Sequence, residues 1–261
     1  MTGRFALETD GGHAWLEGGS GAPLVLVHGI GGTTANWGPV LAPLARDRHV
    51  LAWSFPGYDG AEALPQDRPT AADYAGRLAD FLERRGIGPT QVAGHSLGAL
   101  VVAALADAAP GRVARMDLIC PVIGAGGLTG ETRAAMRQGR IDEIATGGMK
   151  RFAETRTGSI VGPGAAPADL AEIVATMAGI PEAAYLQAWE MLCASDIFPM
   201  LFPGVRPATV IGGGVDPVAP PEAVNDVARK LNVPPVILPG IGHFPTYEAR
   251  DRLIDLMIAR P

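Results

Sequence analysis

Ser96 is the side chain in this sequence best placed to act as a nucleophile. It stands in residues 94–98, Gly-His-Ser-Leu-Gly, between an apolar stretch and a predicted helix. Small residues on both sides of the serine let a strand and a helix approach closely across a sharp, strained turn. The hydroxyl would then lie at the C-terminal edge of a sheet, beside a helix N-terminus whose N–H groups favour negative charge.

A serine nucleophile needs a base and a group that orients the base, and two later residues could supply them. His243 is the only histidine after Ser96, and it stands in a glycine-rich stretch directly after a predicted strand. Asp216 comes just after the preceding predicted strand, where its carboxylate could fix the imidazole tautomer. Asp196 is the alternative acid, although it follows no predicted strand. The structural alternatives are a polar loop histidine and an aspartate that forms a turn with Pro217.

The glycine-rich residues 28–32, His-Gly-Ile-Gly-Gly, follow another predicted strand and could supply donors to a developing oxyanion. We predict that the backbone N–H groups of Ile30 and Leu97 are these donors. His28 and Gly29 are placed beside the substrate, and His28 is expected to brace the loop rather than to do chemistry. His95 is also placed at the pocket, since it adjoins the nucleophile but cannot easily face it.

The elements that must position these side chains alternate between strand and helix, which indicates an α/β fold with a parallel sheet covered on both faces. An Asp-Gly pair at residues 10–11 predicts a hairpin turn between the first two strands. Strands are predicted at 4–7, 13–17, 23–27, 49–54, 90–93, 116–120, 208–211 and 235–238. Helices are predicted at 33–44, 70–85, 97–108, 221–231 and 247–259.

The alternation is interrupted between residues 123 and 205, where the sequence predicts helices but no strand. The helical stretches lie near 131–140, 141–155, 168–177 and 181–193. We therefore divide the chain into a core of residues 1–122 and 206–261 and a helical cap, or lid, of residues 123–205. Met177 and Trp189 of the cap, together with Phe244 of the core, are predicted to line an apolar, adaptable pocket.

Composition excludes several classes of function. The chain has 261 residues, of which 48% are hydrophobic and 18% charged, so a sizeable core is expected. A net charge of −6 with no basic run argues against a nucleic-acid or membrane partner. Only two cysteines occur, no signal peptide is recognisable, and no stretch reaches the roughly 20 apolar residues of a membrane span. We expect a cytoplasmic protein, monomeric or homodimeric, with neither metal nor cofactor.

Taken together, these motifs resemble those of the α/β-hydrolase superfamily over nearly the whole chain. The matching stretches are residues 28–32, 56–58, 94–98, 213–216 with Pro220, and 242–244. The resemblance implies an oxyanion loop, a strand-end turn, a nucleophile elbow, the acid and the base, in that order. It also implies a mostly parallel eight-stranded sheet with a helical cap. The departures are residues 55–60, Phe-Pro-Gly-Tyr-Asp-Gly, and the missing Glu-x-Pro after the base, where residues 248–250 read Glu-Ala-Arg.

Within the superfamily the chain looks most like small bacterial esterases, 3-oxoadipate enol-lactonases and the C–C bond hydrolases of meta-cleavage products. The resemblance implies a serine hydrolase that forms an acyl-enzyme with a small or medium apolar carboxylic ester or lactone. The alternatives are a C–C bond hydrolase of a vinylogous diketone and a non-catalytic ligand-binding member of the fold. C–C hydrolases commonly bind the substrate carboxylate with a cap arginine, and the candidates, which could equally be solvated, are Arg133, Arg137, Arg140, Arg151 and Arg156.

Overall fold

A single eight-stranded sheet forms the centre of the protein in the computed structural model, which describes residues 5–204 and 207–259. The strand order is β1-β2-β4-β3-β5-β6-β7-β8; β1 and β2 run antiparallel to their neighbours, and the rest are parallel. The prediction of a mostly parallel sheet of eight strands is therefore confirmed. The strands are β1 Leu7–Asp10, β2 His13–Gly18, β3 Ala22–Val27, β4 Arg48–Trp53, β5 Thr90–His95, β6 Val113–Ile119, β7 Ala208–Gly213 and β8 Pro235–Leu238.

The predicted hairpin joins the first two strands, but the first strand lies later than predicted. Gly11 and Gly12 form the turn with φ of 55° and 80°, a combination that favours glycine at both positions. This turn pairs Asp10 with His13, so β1 spans Leu7–Asp10 and not the predicted 4–7. Residue 4 of that prediction lies outside the described residues. Every residue of β1 is exposed, so hydrophobicity carried no information about its position.

Helices cover both faces of the sheet, and most begin or end at residues with a clear local reason. Thr70 and Asp73 form a capping box at the start of α2, and Asn232 ends α7 in the left-handed conformation. Thr33 caps a 3₁₀ turn, Thr34–Trp37, before α1 begins, so the predicted helix 33–44 is divided in two. The helices outside the β6–β7 connection are α1 Gly38–Leu44, α2 Ala71–Arg84, α3 Leu97–Ala108, α7 Pro221–Leu231, α8 Pro245–Glu248 and α9 Arg250–Ile258.

The C-terminal helix differs from its prediction in the same way. The stretch 247–259 was predicted as one helix, but α8 and α9 are separated at Ala249, whose φ of −143° is not helical. Pro245 starts α8, because its fixed φ suits the first turn of a helix and its missing N–H costs nothing there.

Within the described residues, three α-helices form most of the connection between β6 and β7: α4 Gly130–Thr157, α5 Pro167–Ala178 and α6 Glu182–Ala194. The two predicted helices 131–140 and 141–155 belong to α4, which instead breaks at Gly148, where φ is 69° and ψ is 172°. An isolated antiparallel bridge between Gly124 and Asp196 brings the two ends of the connection together. The division into core and cap remains a prediction, and its last boundary, at residues 205 and 206, lies outside the described residues.

One continuous cluster of buried apolar side chains joins the sheet to this connection. It contains Leu97 and Leu100 of α3 together with Met177 of α5 and Met191 of α6. A second cluster, which includes Trp37, lies on the other side of the sheet. Among the described residues, none of the helices combines the length and the apolar character that crossing a membrane requires.

Candidate active site

Ser96 occupies the strained turn that its flanking glycines predict. Its φ is 54° and its ψ is −116°, and its N–H donates to the carbonyl of Ile119 at 2.8 Å. A Cβ at Gly94 would collide with the backbone of Gly98, and a Cβ at Gly98 would collide with the backbone of Val27. Only glycine at both positions allows β5, α3 and β3 to approach this closely, which holds the serine at the end of β5.

Ser96, His243 and Asp216 form a continuous chain of hydrogen bonds. The Nε2 atom of His243 lies 2.8 Å from Oγ of Ser96, and Nδ1 lies 2.7 Å from Oδ2 of Asp216. Because an ionised carboxylate only accepts, Nδ1 carries the proton and Nε2 is left to accept from the serine hydroxyl. An imidazole in this state can take up the hydroxyl proton. All three side chains are buried.

Asp216 is held in its ionised form. Burial opposes ionisation, but the hydrogen bond and charge of His243 and the N–H groups of Val218 and Ala219 outweigh it and lower the pKa of Asp216 below its ordinary value. Both N–H groups donate to Oδ1, at 2.8 and 3.1 Å, which leaves Oδ2 for His243. The alternative acid, Asp196, instead accepts from the N–H of Phe198.

The loop of residues 28–32 lies directly against the serine. A Cβ at Gly29 would lie 2.8 Å from Cβ of Ser96, so glycine is required for this approach. Ile30 lines the cavity next to Ser96, and its carbonyl accepts from the hydroxyl of Tyr58 at 3.0 Å. Leu97 directly follows Ser96 as the first residue of α3, so its N–H belongs to the turn itself. The role of both N–H groups as oxyanion donors stays a prediction.

His28 is the one predicted pocket residue that does not line the cavity. Its ring is buried beneath the loop, where Nε2 accepts the N–H of Phe55 at 3.0 Å and Nδ1 donates to the carbonyl of Gly29. Placing His28 beside the substrate was therefore wrong, because both ring nitrogens face backbone groups. Its contacts instead join the loop of residues 28–32 to the one after β4.

A cavity of about 290 Å³ opens above Ser96 and His243. The other predicted pocket residues, Gly29, His95, Met177, Trp189 and Phe244, all line it. Met177 packs against the loop of residues 28–32, since a Cβ at Gly31 would lie 2.6 Å from its Cε. Several residues of the β6–β7 connection line the cavity although the sequence did not predict them there, because the direction of their side chains depends on packing; they include Val122, Ile123, Met136, Ile160, Tyr185 and Leu192.

Two of the five candidate arginines, Arg140 and Arg156, line the cavity. Arg140 is neutralised locally: its Nε lies 3.1 Å from Glu143, it donates to the Tyr185 hydroxyl, and its guanidinium stacks on Phe152 and Trp189. Among the described residues, the Arg156 side chain makes no hydrogen bond or ion pair, although the charges of Glu143 and Asp216 act on it at longer range. Burial, followed by repulsion from Arg140, lowers the pKa of Arg156.

Glu248, which no proline follows at residue 250, directly contacts the loop that bears His243. Its carboxylate accepts from the N–H groups of Gly162, Gly242 and Phe244. One feature of the sequence indicated the contact between Glu248 and the His243 loop: Glu248 follows His243 after only a short linker and one helical turn. Nothing in the sequence indicated Gly162 as a partner.

One group among the described residues has potential metal ligands close together: His95, Cys120 and His243, whose ligand atoms all lie within 4.8 Å of one another. Both nitrogens of His243 are already engaged by Ser96 and Asp216, and Nε2 of His95 donates to the carbonyl of His243 at 2.6 Å. Burial raises the pKa of the Cys120 thiol well above its ordinary value, which disfavours the thiolate that a metal would need. These atoms are therefore poorly suited to hold a metal ion.

Known proteins share the sequence pattern and the fold of this chain. A model of the alpha/beta hydrolase family matches residues 24–256. The chain belongs to this family. Among solved structures, this alpha/beta hydrolase is similar to a thermophilic esterase from Thermogutta terrifontis (TM-score 0.83, 23% identity, 94% of this chain and 92% of that chain). It is also similar to an enol-lactonase from Burkholderia xenovorans (TM-score 0.81, 23% identity, 97% and 98%). At these identities the likeness concerns the fold.

A curated relative gives a more local match. The alpha/beta hydrolase is 30% identical over 105 residues to the (E)-2-((N-methylformamido)methylene)succinate hydrolase of Acinetobacter baylyi. The aligned stretch covers 40% of this chain and 40% of the relative, so the match spans less than half of that protein's length.

Proposed function

We propose that this chain is a serine hydrolase that cleaves a small or medium carboxylic ester or lactone through an acyl-enzyme. The observation that carries the proposal is the hydrogen-bond chain from Asp216 through His243 to Ser96, which ends at a partly apolar cavity. Ser96 lies within hydrogen-bond reach of His243, and His243 lies within reach of Asp216, as a nucleophile, its base and the orienting acid require.

In the first half of the reaction, Oγ of Ser96 attacks the substrate carbonyl while Nε2 of His243 takes the hydroxyl proton. The tetrahedral intermediate carries its negative charge on the former carbonyl oxygen, which the N–H groups of Ile30 and Leu97 stabilise. Collapse of the intermediate breaks the carbon–oxygen bond of the ester. The leaving alcohol receives the proton from His243, and the acyl group remains on Ser96.

In the second half, His243 takes a proton from water, and the hydroxide formed attacks the acyl carbon. Collapse returns the proton to Ser96 and releases the carboxylic acid. Asp216 stabilises the imidazolium that forms in both halves and keeps Nδ1 protonated, while the cavity walls limit access of bulk water. A lactone follows the same course, except that alcohol and acid leave as one hydroxy acid.

Removal of the nucleophile tests the proposal. We expect Ser96→Ala to lower kcat for p-nitrophenyl butyrate by at least about 1,000-fold, because no acyl-enzyme can form. A fluorophosphonate probe should label the wild type and the control Ser20→Ala, whose serine lies exposed in a surface loop, but not Ser96→Ala. Hydrolysis that survives in Ser96→Ala with an unchanged fold would refute the nucleophile.

A second candidate, the C–C bond hydrolase of a vinylogous diketone that carries a carboxylate, is favoured by Arg156. This guanidinium lines the cavity, is half-buried, and forms no direct ion pair among the described residues, since Glu143 and Asp216 act on it only at longer range. A half-buried charge without a hydrogen-bonded partner is costly, so the cavity favours a substrate with a negative group. The Acinetobacter baylyi relative is itself named for a succinate derivative.

Matched substrates separate the two candidates. For Arg156→Gln we expect kcat/KM to fall about 10- to 100-fold on p-nitrophenyl hemisuccinate, because a hydrogen bond to a charged group contributes about 1.5–3 kcal/mol. The same variant should retain kcat/KM on the neutral p-nitrophenyl butyrate, and cleavage of a dienoate diketone should fall with the hemisuccinate. Arg151→Gln, on the same helix but exposed and outside this cavity, is the control. Equal losses on charged and neutral esters would contradict an anionic substrate.

A further inference from the structure

Glu248 holds the backbone on both sides of His243. Its Oε1 accepts from the N–H of Phe244 at 2.9 Å, and its Oε2 accepts from the N–H of Gly242 at 2.8 Å. Hydrogen bonds to an ionised acceptor are stronger than neutral ones. The residues before and after His243 are therefore anchored to one side chain, and the position of the imidazole follows from theirs.

The same carboxylate also holds the connection between α4 and α5. Oε2 of Glu248 accepts from the N–H of Gly162 at 2.6 Å, and the carbonyl of Ile160 accepts from the N–H of His243 at 2.7 Å. A Cβ at Gly162 would collide with the carbonyl of Gly240, so the two backbone segments touch with no side chain between them. This α4–α5 connection therefore packs directly against the loop that bears His243.

The α4–α5 connection is also part of the cavity wall. Ile160 lines the cavity, and Arg156 lies one helical turn before it, at the end of α4. One direct hydrogen bond, from His243 to Ile160, thus joins this part of the cavity wall to the loop of His243, and the Glu248 carboxylate bridges the same two segments through Gly162 on one side and Gly242 and Phe244 on the other. A displacement of residues 160–162 would be transmitted to His243 and would change its distance from Ser96.

We propose that Glu248 is a positioning residue that sets the geometry of His243 and couples it to the α4–α5 connection. The inference rests on the proposed role of His243 as the base, and it adds a residue that does not touch the substrate. Glu248 is absent from the cavity lining, so its effect must pass through the backbone of residues 242–244.

Glu248→Gln tests the proposal because a carboxamide cannot accept from all three N–H groups. Its oxygen can replace one carboxylate oxygen, but its NH₂ group then faces at least one N–H donor. We expect kcat to fall about 10- to 100-fold with KM within about twofold, as for a catalytic group displaced by up to about 1 Å. Asp251→Asn, which removes one charge from the exposed face of α9, should leave both unchanged.

Two readouts distinguish positioning from a merely structural role. The low-field proton resonance of Nδ1–H of His243, identified by its loss in Asp216→Asn, should broaden or shift in Glu248→Gln. The acid limb of the pH profile of kcat/KM should also shift, and a shift that Gly162→Ala reproduces with the Glu248 charge in place reports displacement of the imidazole rather than loss of that charge. An unchanged resonance and an unchanged limb in a folded Glu248→Gln would overturn the proposal.

A second variant covers the case in which Glu248→Gln does not fold. Gly162→Ala keeps the charge of the carboxylate, but its Cβ would lie 2.3 Å from the carbonyl of Gly240 and 2.7 Å from Oε2 of Glu248 and so forces the α4–α5 connection away from both. The same changes in resonance and pH profile are expected. A normal resonance in Gly162→Ala would refute the coupling. The resonance is measured on the resting protein, so it stays informative if Ser96-dependent hydrolysis is not found. In that case the proposed function fails, while the positioning of His243 is still tested.

Discussion

At the scale of single residues, the surroundings of His95 keep its imidazole ring uncharged. Burial, together with the charge of nearby His243, lowers the pKa of His95 to about 3. Its Nε2 donates to the carbonyl of His243, so a neutral ring suffices for its contacts. His95 therefore stays uncharged, and in the proposed mechanism it adds no positive charge beside the imidazolium of His243.

This lowered pKa predicts a loss of stability in acid. The ordinary histidine pKa is 6.5, so His95 of the unfolded chain becomes protonated as the pH falls below that value. In the folded protein His95 becomes protonated only near pH 3. The free energy of unfolding should fall as the pH drops through this window. At pH 5 the titration of His95 lowers the free energy of unfolding by about 2 kcal/mol, at 1.36 kcal/mol for each pH unit below the ordinary pKa.

Urea denaturation at pH 7.5 and pH 5.0 measures this contribution. The wild type should lose about 2 kcal/mol more between the two pH values than His95→Asn, whose side chain does not titrate. Any stability that His95→Asn loses at pH 7.5 cancels, because only the difference between the two pH values is compared. An equal loss in both proteins would show that His95 titrates normally in the fold.

At the scale of elements, the break in α4 determines where the cavity-lining arginines lie. Gly148 has a φ of 69° and a ψ of 172°, a region that essentially only glycine occupies. The helical segment before this residue carries Arg140, and the segment after it carries Arg156. Both reach the same cavity, because the chain changes direction between them.

Two glycines of α4 provide a matched test of this break. A Cβ at either Gly139 or Gly148 would meet no atom within 4 Å, so only backbone conformation distinguishes them. Gly148→Ala should lower the free energy of unfolding by about 1–3 kcal/mol, because alanine is strained at this φ and ψ. Gly139→Ala should raise it by about 0.5–1 kcal/mol, since residue 139 is helical. Thermal and urea unfolding of the two variants measure both values.

Opposite signs for the two variants are the decisive result. A neutral or stabilising effect of Gly148→Ala would mean that α4 can continue as a regular helix through residue 148. The two arginines would then not need the break in order to share the cavity.

At the scale of the whole molecule, the parallel sheet assembles the site. Ser96 follows β5, Asp216 follows β7 and His243 follows β8, and these strands run in the same direction. Their carboxyl ends therefore meet at one edge of the sheet, which brings together residues up to 147 positions apart in the chain. The helices α4–α6 close this edge, and they share one buried apolar cluster with the sheet.

Much of this arrangement could be predicted from the sequence, because its causes are local. Ser96 between two glycines, and Asp216 and His243 after apolar strands, report a turn and two strand ends directly. Most helices were predicted within a few residues, since caps, glycines and prolines act on their own neighbours. The boundaries failed where the local signal was weak, as in exposed β1 and at the non-helical Ala249.

Only the tertiary structure showed which side chains face the cavity and which contact one another, because the direction of a side chain does not follow from its position in the sequence. The sequence did not distinguish among the five arginines that could bind a substrate carboxylate, and packing places only Arg140 and Arg156 in the cavity wall. His28 faces Phe55 instead of the cavity, and Glu248 reaches Gly162 across 86 residues. The sequence by itself determined the order and type of the candidate reacting groups, because each stands in a turn or at a strand end that forms from adjacent residues. The surroundings of those groups required the fold, because they are made of residues that only long-range packing brings into contact.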